Sequence, residues 1–299
     1  MRSPIIPDSV SETLVSRECQ IVENVLFLDG VSGTGKTMMA PILTTFDRVE
    51  IQRLEHIYEY VCALRFLGRI EEDAANLLIR MYVDLAGYNV TIARESNFRW
   101  KDLSGALSNP GGWRYLLRLF RADGDSVIDR INQDRPILQI VSHQLLGISS
   151  ALFSALGTRL KIVEMVRHPL YLLEHWYSYI NRHGTDPRDF TVWLSHQGVQ
   201  PPWYALGWED QYLASNQMDR VIYAIDQFTQ LMEKTLADLD EASRSQVLIV
   251  PFERFVLDPY PYLQQIEDLL NTTTTGATRR ALRKQKVPRQ ITTAGLDLP

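Results

Sequence analysis

Along the first third of the chain, unbroken apolar runs that end at turn residues alternate with stretches whose apolar positions recur every three or four residues. Val25-Leu26-Phe27-Leu28-Asp29 is a short run entering glycine, the pattern of a buried parallel strand that leads into a tight turn. A helix is expected to follow from about Lys36. Val49-Glu50-Ile51 reads as a second strand. Leu54, Ile57, Tyr58, Val61, Leu64 and Leu67 then recur at helical spacing up to Gly68, and Ala74, Leu77, Leu78, Met81 and Leu85 repeat the pattern from Asp73 onward. Two helices are therefore expected between early strands. Asn89 to Ala93 reads as a further strand, delivering the polar cluster Arg94, Glu95, Asn97 and Arg99.

Ser108-Asn109-Pro110-Gly111-Gly112 breaks the pattern. Trp113 to Phe120 and Asp125 to Ile131 are expected to be helical. Ile137 to Val141 reads as a core strand ending at Ser142-His143, and Leu160 to Val166 as the next, ending at Arg167-His168. Pro169 suits the first turn of a helix running to about Asn181. Residues 183–212 carry Gly, Pro and three tryptophans with weak periodicity, as loops and short helices over one end of the sheet would. Met218 to Leu239 reads as a long amphipathic helix, Val247 to Val250 as the last strand, and Pro259 to Leu270 as a helix. Strands alternating with helices predict an α/β fold: a doubly wound, mostly parallel sheet flanked by helices, with helical insertions and a ligand site beyond the carboxyl ends of the strands. The expected organisation is a flexible leader over 1–22 and a single domain over 23–299, with 183–240 as a loop and helical insertion over the sheet.

Composition narrows the function classes. A formal net charge of -5 gives no support to general nucleic-acid binding. Cys19 and Cys62 lie far apart without metal-ligand spacing, so neither a disulfide framework nor a zinc site is implied, and a reducing, cytoplasmic location is expected. No run approaches the roughly 20 apolar residues of a membrane span.

The segment Gly30-Val31-Ser32-Gly33-Thr34-Gly35-Lys36-Thr37 satisfies G-x-x-x-x-G-K-[ST], directly after an apolar strand and before a helix, the context that a phosphate-binding P-loop requires. Glycines let successive backbone N–H groups converge on phosphate oxygens, and the helix N-terminus adds favourable potential for an anion. Lys36 supplies a mobile charge to the transferred or leaving group, and Thr37 a hydroxyl donor. An ATPase or GTPase commonly adds an Asp after an apolar strand to help hold magnesium. Here the strands deliver Ser-His, Arg-His and Pro-Phe-Glu instead, which suits metal-free group transfer.

With these motifs the sequence resembles the sulfotransferase family, in which a phosphosulfate-binding loop follows the first strand, a later strand ends in Thr-His or Ser-His, and another ends in Arg-Asp-Pro or Arg-His-Pro. Ile140-Val141-Ser142-His143, Val166-Arg167-His168-Pro169 and Leu248-Ile249-Val250-Pro251-Phe252-Glu253, followed by Asp258-Pro259, carry the likeness in the expected order. The chain departs from the family pattern in two places. Gly35-Lys36-Thr37 has the lysine of a nucleoside-triphosphate site, and the serine expected eight residues after the arginine is replaced by His175, with Trp176 kept beside it.

The resemblance implies sulfuryl transfer from 3′-phosphoadenosine 5′-phosphosulfate (PAPS) to a hydroxyl or amine acceptor, such as a saccharide or small metabolite. It implies Arg167 as the ligand of the 3′-phosphate, with His175 as a further donor, and Arg283 and Lys284 of the basic stretch Arg279–Arg289 as C-terminal phosphate contacts. His143 is the candidate general base, because imidazole titrates near neutrality, and Glu95 is the alternative base. Trp203, Tyr204, Trp208 and Tyr212 are candidates for acceptor stacking or for core packing. Two other readings stay open: an ATP- and Mg-dependent kinase or NTPase, favoured by the complete loop, and a nucleotide-binding module without catalysis.

Overall fold

The computed structural model describes residues 13–102 and 104–290. Five strands form one sheet, β1 (Asn24–Asp29), β2 (Arg53–Leu54), β3 (Ile137–Val141), β4 (Leu160–Val166) and β5 (Val247–Pro251), in the order β2-β3-β1-β4-β5. Every pairing is parallel. The helices are, in chain order, α1 (Lys36–Leu43), α2 (Ile57–Phe66), α3 (Glu72–Thr91), α4 (Trp113–Arg118), α5 (Asp125–Asp134), α6 (Ser150–Leu156) and α7 (Leu173–Ile180). They continue with α8 (Glu209–Ala214), α9 (Gln217–Asp238), α10 (Glu241–Arg244), α11 (Phe252–Leu257), α12 (Tyr260–Leu270) and α13 (Thr278–Lys284).

The continuous apolar runs are explained by burial on both faces. Val25, Phe27, Leu138, Ile140 and Ile162 point into one core with α2, α3, α6, α7 and α9. Leu26, Leu28, Ile137, Val163 and Met165 point into the other with α1, α11, α12 and α13. This is the alternation a pleated strand imposes when both faces are covered. The register aligns Leu28 with Val141 and Asp29 with Glu164, so β1, β3 and β4 end at one edge. The chain places β2 and β3 on one side of β1 and β4 and β5 on the other. The turn after β1 therefore sits at the point where strand order reverses, the ligand crevice of open α/β sheets.

Two expected strands differ from the structure. Asn89 to Ala93 is not a strand: α3 runs on to Thr91, because Val83, Ala86 and Val90 continue the buried stripe that begins at Ala75 and Ile79. Packing of that stripe overrides the β-branched character of Val90 and Thr91. Nor does Val49-Glu50-Ile51 form a strand. Val49 makes only an isolated bridge to Ile137, the Ile51 N–H donates to the Tyr115 hydroxyl, and pairing with β3 resumes at Arg53–Leu54. Glu50 turns its side chain inward to a bidentate pair with Arg118 (2.7 and 2.8 Å), while its backbone N–H still donates to the Ile137 carbonyl (3.0 Å).

Ahead of β1, residues 13–22 lie along α3. The Val15 N–H donates to Asp73 (2.8 Å), the Ile21 and Val22 N–H groups donate to Asp84 (3.1 and 3.2 Å), and Val22 packs where Gly87 leaves room for it. Residues 1–12 of the expected leader lie outside the described residues. Among the described residues, no helix is long and apolar enough to cross a membrane.

Candidate functional site

The turn between β1 and α1 is shaped by three glycines of positive φ, two of which have neighbours that exclude a side chain. Gly30, Gly33 and Gly35 have φ of 138, 97 and 100°, a region that L side chains rarely adopt. A Cβ at Gly30 would lie 2.3 Å from the Met165 carbonyl oxygen, and one at Gly35 would lie 2.5 Å from the Phe252 ring. At Gly33 it would meet His175 at 3.3 Å. The loop is thus pressed between β4, α7 and α11. The Thr34 hydroxyl braces it from within by donating to the Val31 carbonyl (2.8 Å), and Thr37 is exposed on the first turn of α1.

Lys36 is buried and folds back over this loop, donating to the carbonyls of Gly30 and Val31. Burial pulls its pKa below the ordinary lysine value, against the pull of Asp29. Asp29 accepts from the Ser142 hydroxyl (3.0 Å) and from the N–H groups of Leu145 and Leu146 (both 2.7 Å). Burial, and next the adjacent Asp29, push the Glu164 pKa well above the usual carboxylate range.

Around the loop, α7 and the end of β4 supply the residues expected there. His175 Nε2 lies 2.9 Å from the Ser32 hydroxyl, and the Trp176 indole N–H donates to the Ser32 carbonyl (3.0 Å). Burial, with Lys36 nearby, lowers the His175 pKa, which favours a neutral imidazole. Arg167 donates to the Gly33 carbonyl (2.9 Å) and lies over the Phe252 ring at 4.5 Å, with its Nε buried and without a hydrogen-bond partner. Arg289 approaches the same ring at 5.6 Å. Burial lowers the Arg167 pKa, and the positive charge of Arg289 lowers it further. Two guanidiniums near one ring beside the glycine loop, one of them with a buried unsatisfied N–H, are suited to an anion.

His143 follows β3 and faces a cavity of about 270 Å³ that Ser32 of the loop also lines. Its backbone N–H and Nδ1 both contact one oxygen of Glu59 (2.9 and 3.0 Å), and His56 Nδ1 lies 3.1 Å from the other. Burial raises the Glu59 pKa, but the hydrogen bonds from His143 and His56 outweigh it and bring the carboxyl down to about 2. Glu59 thus fixes the His143 ring and leaves its Nε2 as the free nitrogen when Nδ1 carries the proton. Tyr60, Tyr179, Phe190 and Trp203 form the aromatic walls of the cavity. Trp203, Tyr204 and Tyr212 are buried and packed with Trp176 and Phe228, so the aromatic cluster is core, with Trp203 and Tyr204 also forming part of the cavity wall.

Three other sequence candidates lie elsewhere. Glu95, in the turn after α3 with φ of 61°, accepts from Asn89 (2.8 Å), lies 3.8 Å from Arg53, and lines a separate depression with Ser96 and Asn97. Arg283 and Lys284 are exposed on α13, and Lys284 donates to the Ser108 carbonyl (3.2 Å). Arg289, five residues on, is the basic side chain of that stretch that reaches the rim of the loop. Glu59 and His56 were not singled out from the sequence, where they are polar positions of an amphipathic helix. Their i, i+3 spacing at the start of α2 was the available signal.

No family model and no curated protein matches the chain. Among solved structures it is similar to the sulfotransferase domain from the curacin biosynthetic pathway, at 13% identity over 87% of this chain and 78% of that one, with a TM-score of 0.49. It is also similar to the sulfotransferase domain from the Synechococcus PCC 7002 olefin synthase (12% identity, 89% of this chain and 79% of that one, TM-score 0.44) and to a sulfotransferase from Alicyclobacillus acidocaldarius (13%, 91% and 92%, TM-score 0.40). These three solved proteins are sulfotransferases or sulfotransferase domains.

Proposed function

We propose that this protein is a PAPS-dependent sulfotransferase whose acceptor, a hydroxyl or amine compound such as a saccharide or small metabolite, binds in the cavity that His143 and Ser32 line together. That shared lining carries the reading: it brings a proton acceptor and the phosphate loop to one space. The residues fit the donor. Gly30, Gly33 and Gly35 give the loop backbone the positive-φ turns of a phosphate cradle, Lys36 can exchange the carbonyls of Gly30 and Val31 for phosphate oxygens, and Arg167 with Arg289 offers charge to a second phosphate. The donor supplies an activated sulfuryl group on a phosphosulfate bridge.

In transfer, the acceptor oxygen or nitrogen forms a bond to sulfur as the bridging S–O bond breaks. His143 takes the acceptor proton on Nε2, with Glu59 holding the opposite nitrogen and stabilising the imidazolium. Lys36 and the N–H groups of the loop face the charge that develops on the leaving phosphate, and such preorganised donors supply most of the acceleration. His175 takes the place of the expected serine against Ser32, and as a neutral imidazole it remains able to donate one hydrogen bond. The complete Gly35-Lys36-Thr37 ending favours a second reading, phosphoryl transfer from ATP with magnesium.

The test is transfer of labelled sulfuryl from PAPS to a panel of phenols, sugars and amines. Turnover on at least one acceptor is expected, and His143→Ala should reduce it roughly 10²- to 10⁴-fold with donor affinity preserved. Transfer of the ATP γ-phosphate with no sulfuryl transfer would overturn the proposal.

A further inference from the structure

In the lining of the cavity, His143 and the Glu59 that holds it are joined by a further imidazole, His56, which proton transfer does not use. His56, at the start of α2, Glu59, one turn later, and His143, after β3, each present one ligand atom, and these atoms lie within 4.8 Å of one another. We propose that His56, Glu59 and His143 form a binding site for a divalent transition metal of the zinc class. This inference is independent of the group that the protein transfers.

Two imidazoles and one carboxylate are a donor set that suits zinc, cobalt or nickel rather than calcium or magnesium, which take oxygen ligands. The carboxylate–imidazole distances are close to what a tetrahedral ion requires. Zn–N and Zn–O bonds of about 2.0–2.2 Å place neighbouring ligand atoms roughly 3.3 Å apart. The Glu59 oxygens already stand 3.0 Å from His143 Nδ1 and 3.1 Å from His56 Nδ1. The two imidazole rings are stacked at 21° with centroids 6.1 Å apart, and the Nδ1 of each meets a different oxygen of Glu59. A metal there replaces the protons that now bridge ring and carboxylate.

Three further features favour an ion. The His143 backbone N–H donates to Glu59 Oε1 (2.9 Å), a contact of the kind that orients metal-bound carboxylates. Among the described residues the salt-bridge partners of Glu59 are His56 and His143, so no Lys or Arg ammonium or guanidinium occupies the place of the cation. The trio also opens onto the cavity lined by Ser32, Tyr60 and Tyr179, which leaves a fourth coordination position for water or for a donor atom of a bound molecule. Because His143 is one of the ligands, an ion bound here withdraws its imidazole from proton acceptance.

Cobalt is the probe. The full chain, freed of metal by chelator and titrated with Co²⁺, should develop the visible absorption of a four- or five-coordinate centre at one equivalent, and Zn²⁺ should bleach it. His56→Ala should weaken Co²⁺ binding at least tenfold, and Glu59→Gln at least as much. His196→Ala, which removes an imidazole paired with Asp210 outside the trio, should leave the titration unchanged. His56 is half-exposed, so its variant keeps the test decisive if Glu59→Gln fails to fold. Absence of the absorption band, or an unchanged titration in His56→Ala, would overturn the site. Sulfuryl transfer can fail while cobalt binds, and the reverse, so the two proposals are separable.

Discussion

Replacing Gly35 with alanine tests whether the loop after β1, Phe252 and the two arginines form one unit. The new Cβ would lie 2.5 and 2.7 Å from two carbons of the Phe252 ring, whereas ordinary carbon contacts begin near 3.5 Å, so the ring or the loop must move by about 1 Å. Phe252 is 6% exposed and has Arg167 on it at 4.5 Å and Arg289 at 5.6 Å, so it cannot swing into solvent without taking both guanidiniums with it. Overpacking of this kind costs about 1–3 kcal/mol. Alanine at φ of 100° adds about 1–3 kcal/mol of backbone strain. We expect Gly35→Ala to lose about 2–4 kcal/mol by denaturant unfolding, after partial relaxation, and at least tenfold in affinity for adenosine 3′,5′-bisphosphate by calorimetry. Gly68→Ala is the control. Gly68 also has positive φ, at 64°, but nothing lies within 4 Å of its Cβ position, so it should show the smaller backbone penalty and unchanged affinity. Equal stability losses in the two variants, with nucleotide affinity intact in Gly35→Ala, would refute the coupling.

Two further outcomes follow from named contacts. Arg289→Ala should weaken bisphosphate binding about tenfold, as loss of a charge-assisted contact would, while Lys284→Ala should leave it unchanged because Lys284 is committed to the Ser108 carbonyl; parallel calorimetric titrations check this. Burial raises the Glu50 pKa, but Arg118 outweighs it and holds the carboxyl below its usual 4.5, so Glu50 contributes stability that is fully present above about pH 4.5 and is lost as pH falls through the folded-state value. Glu50→Gln should cost about 3–5 kcal/mol at neutral pH by leaving Arg118 uncompensated, and should flatten the acid limb of stability against pH; an unchanged acid limb would contradict the pairing.

The sheet was legible because its inner strands are buried on both faces, and continuous apolar runs such as Leu26-Phe27-Leu28 have no other stable place. The loop was legible because its chemistry is local: eight consecutive residues carry it. What the sequence did not show depends on partners far along the chain. Arg53–Leu54 pairs as an edge strand although Val49 to Ile51 is the more apolar segment, because the Ile51 N–H is taken by the Tyr115 hydroxyl, 64 residues away. Thr91 is helical because α3 packs on the sheet through Val83 and Val90. Glu59 reads as one more acidic position on a helix until β3 brings His143 to it across 84 residues. Arg289 is indistinguishable in sequence from Arg283 and Lys284, and only the chain path after α13 selects it.

The central claim is that the loop and its arginines hold a nucleotide with a 3′-phosphate and need no metal to do so. It is tested most directly by calorimetric titration of the full chain with adenosine 3′,5′-bisphosphate and with AMP, each with EDTA present. The bisphosphate should bind roughly ten- to a hundredfold more tightly, the equivalent of about 1.5–3 kcal/mol from one charge-assisted phosphate contact, and Arg167→Ala should erase most of the difference. Equal affinity for the two nucleotides, together with tight binding of ATP only when magnesium is supplied, would contradict the account.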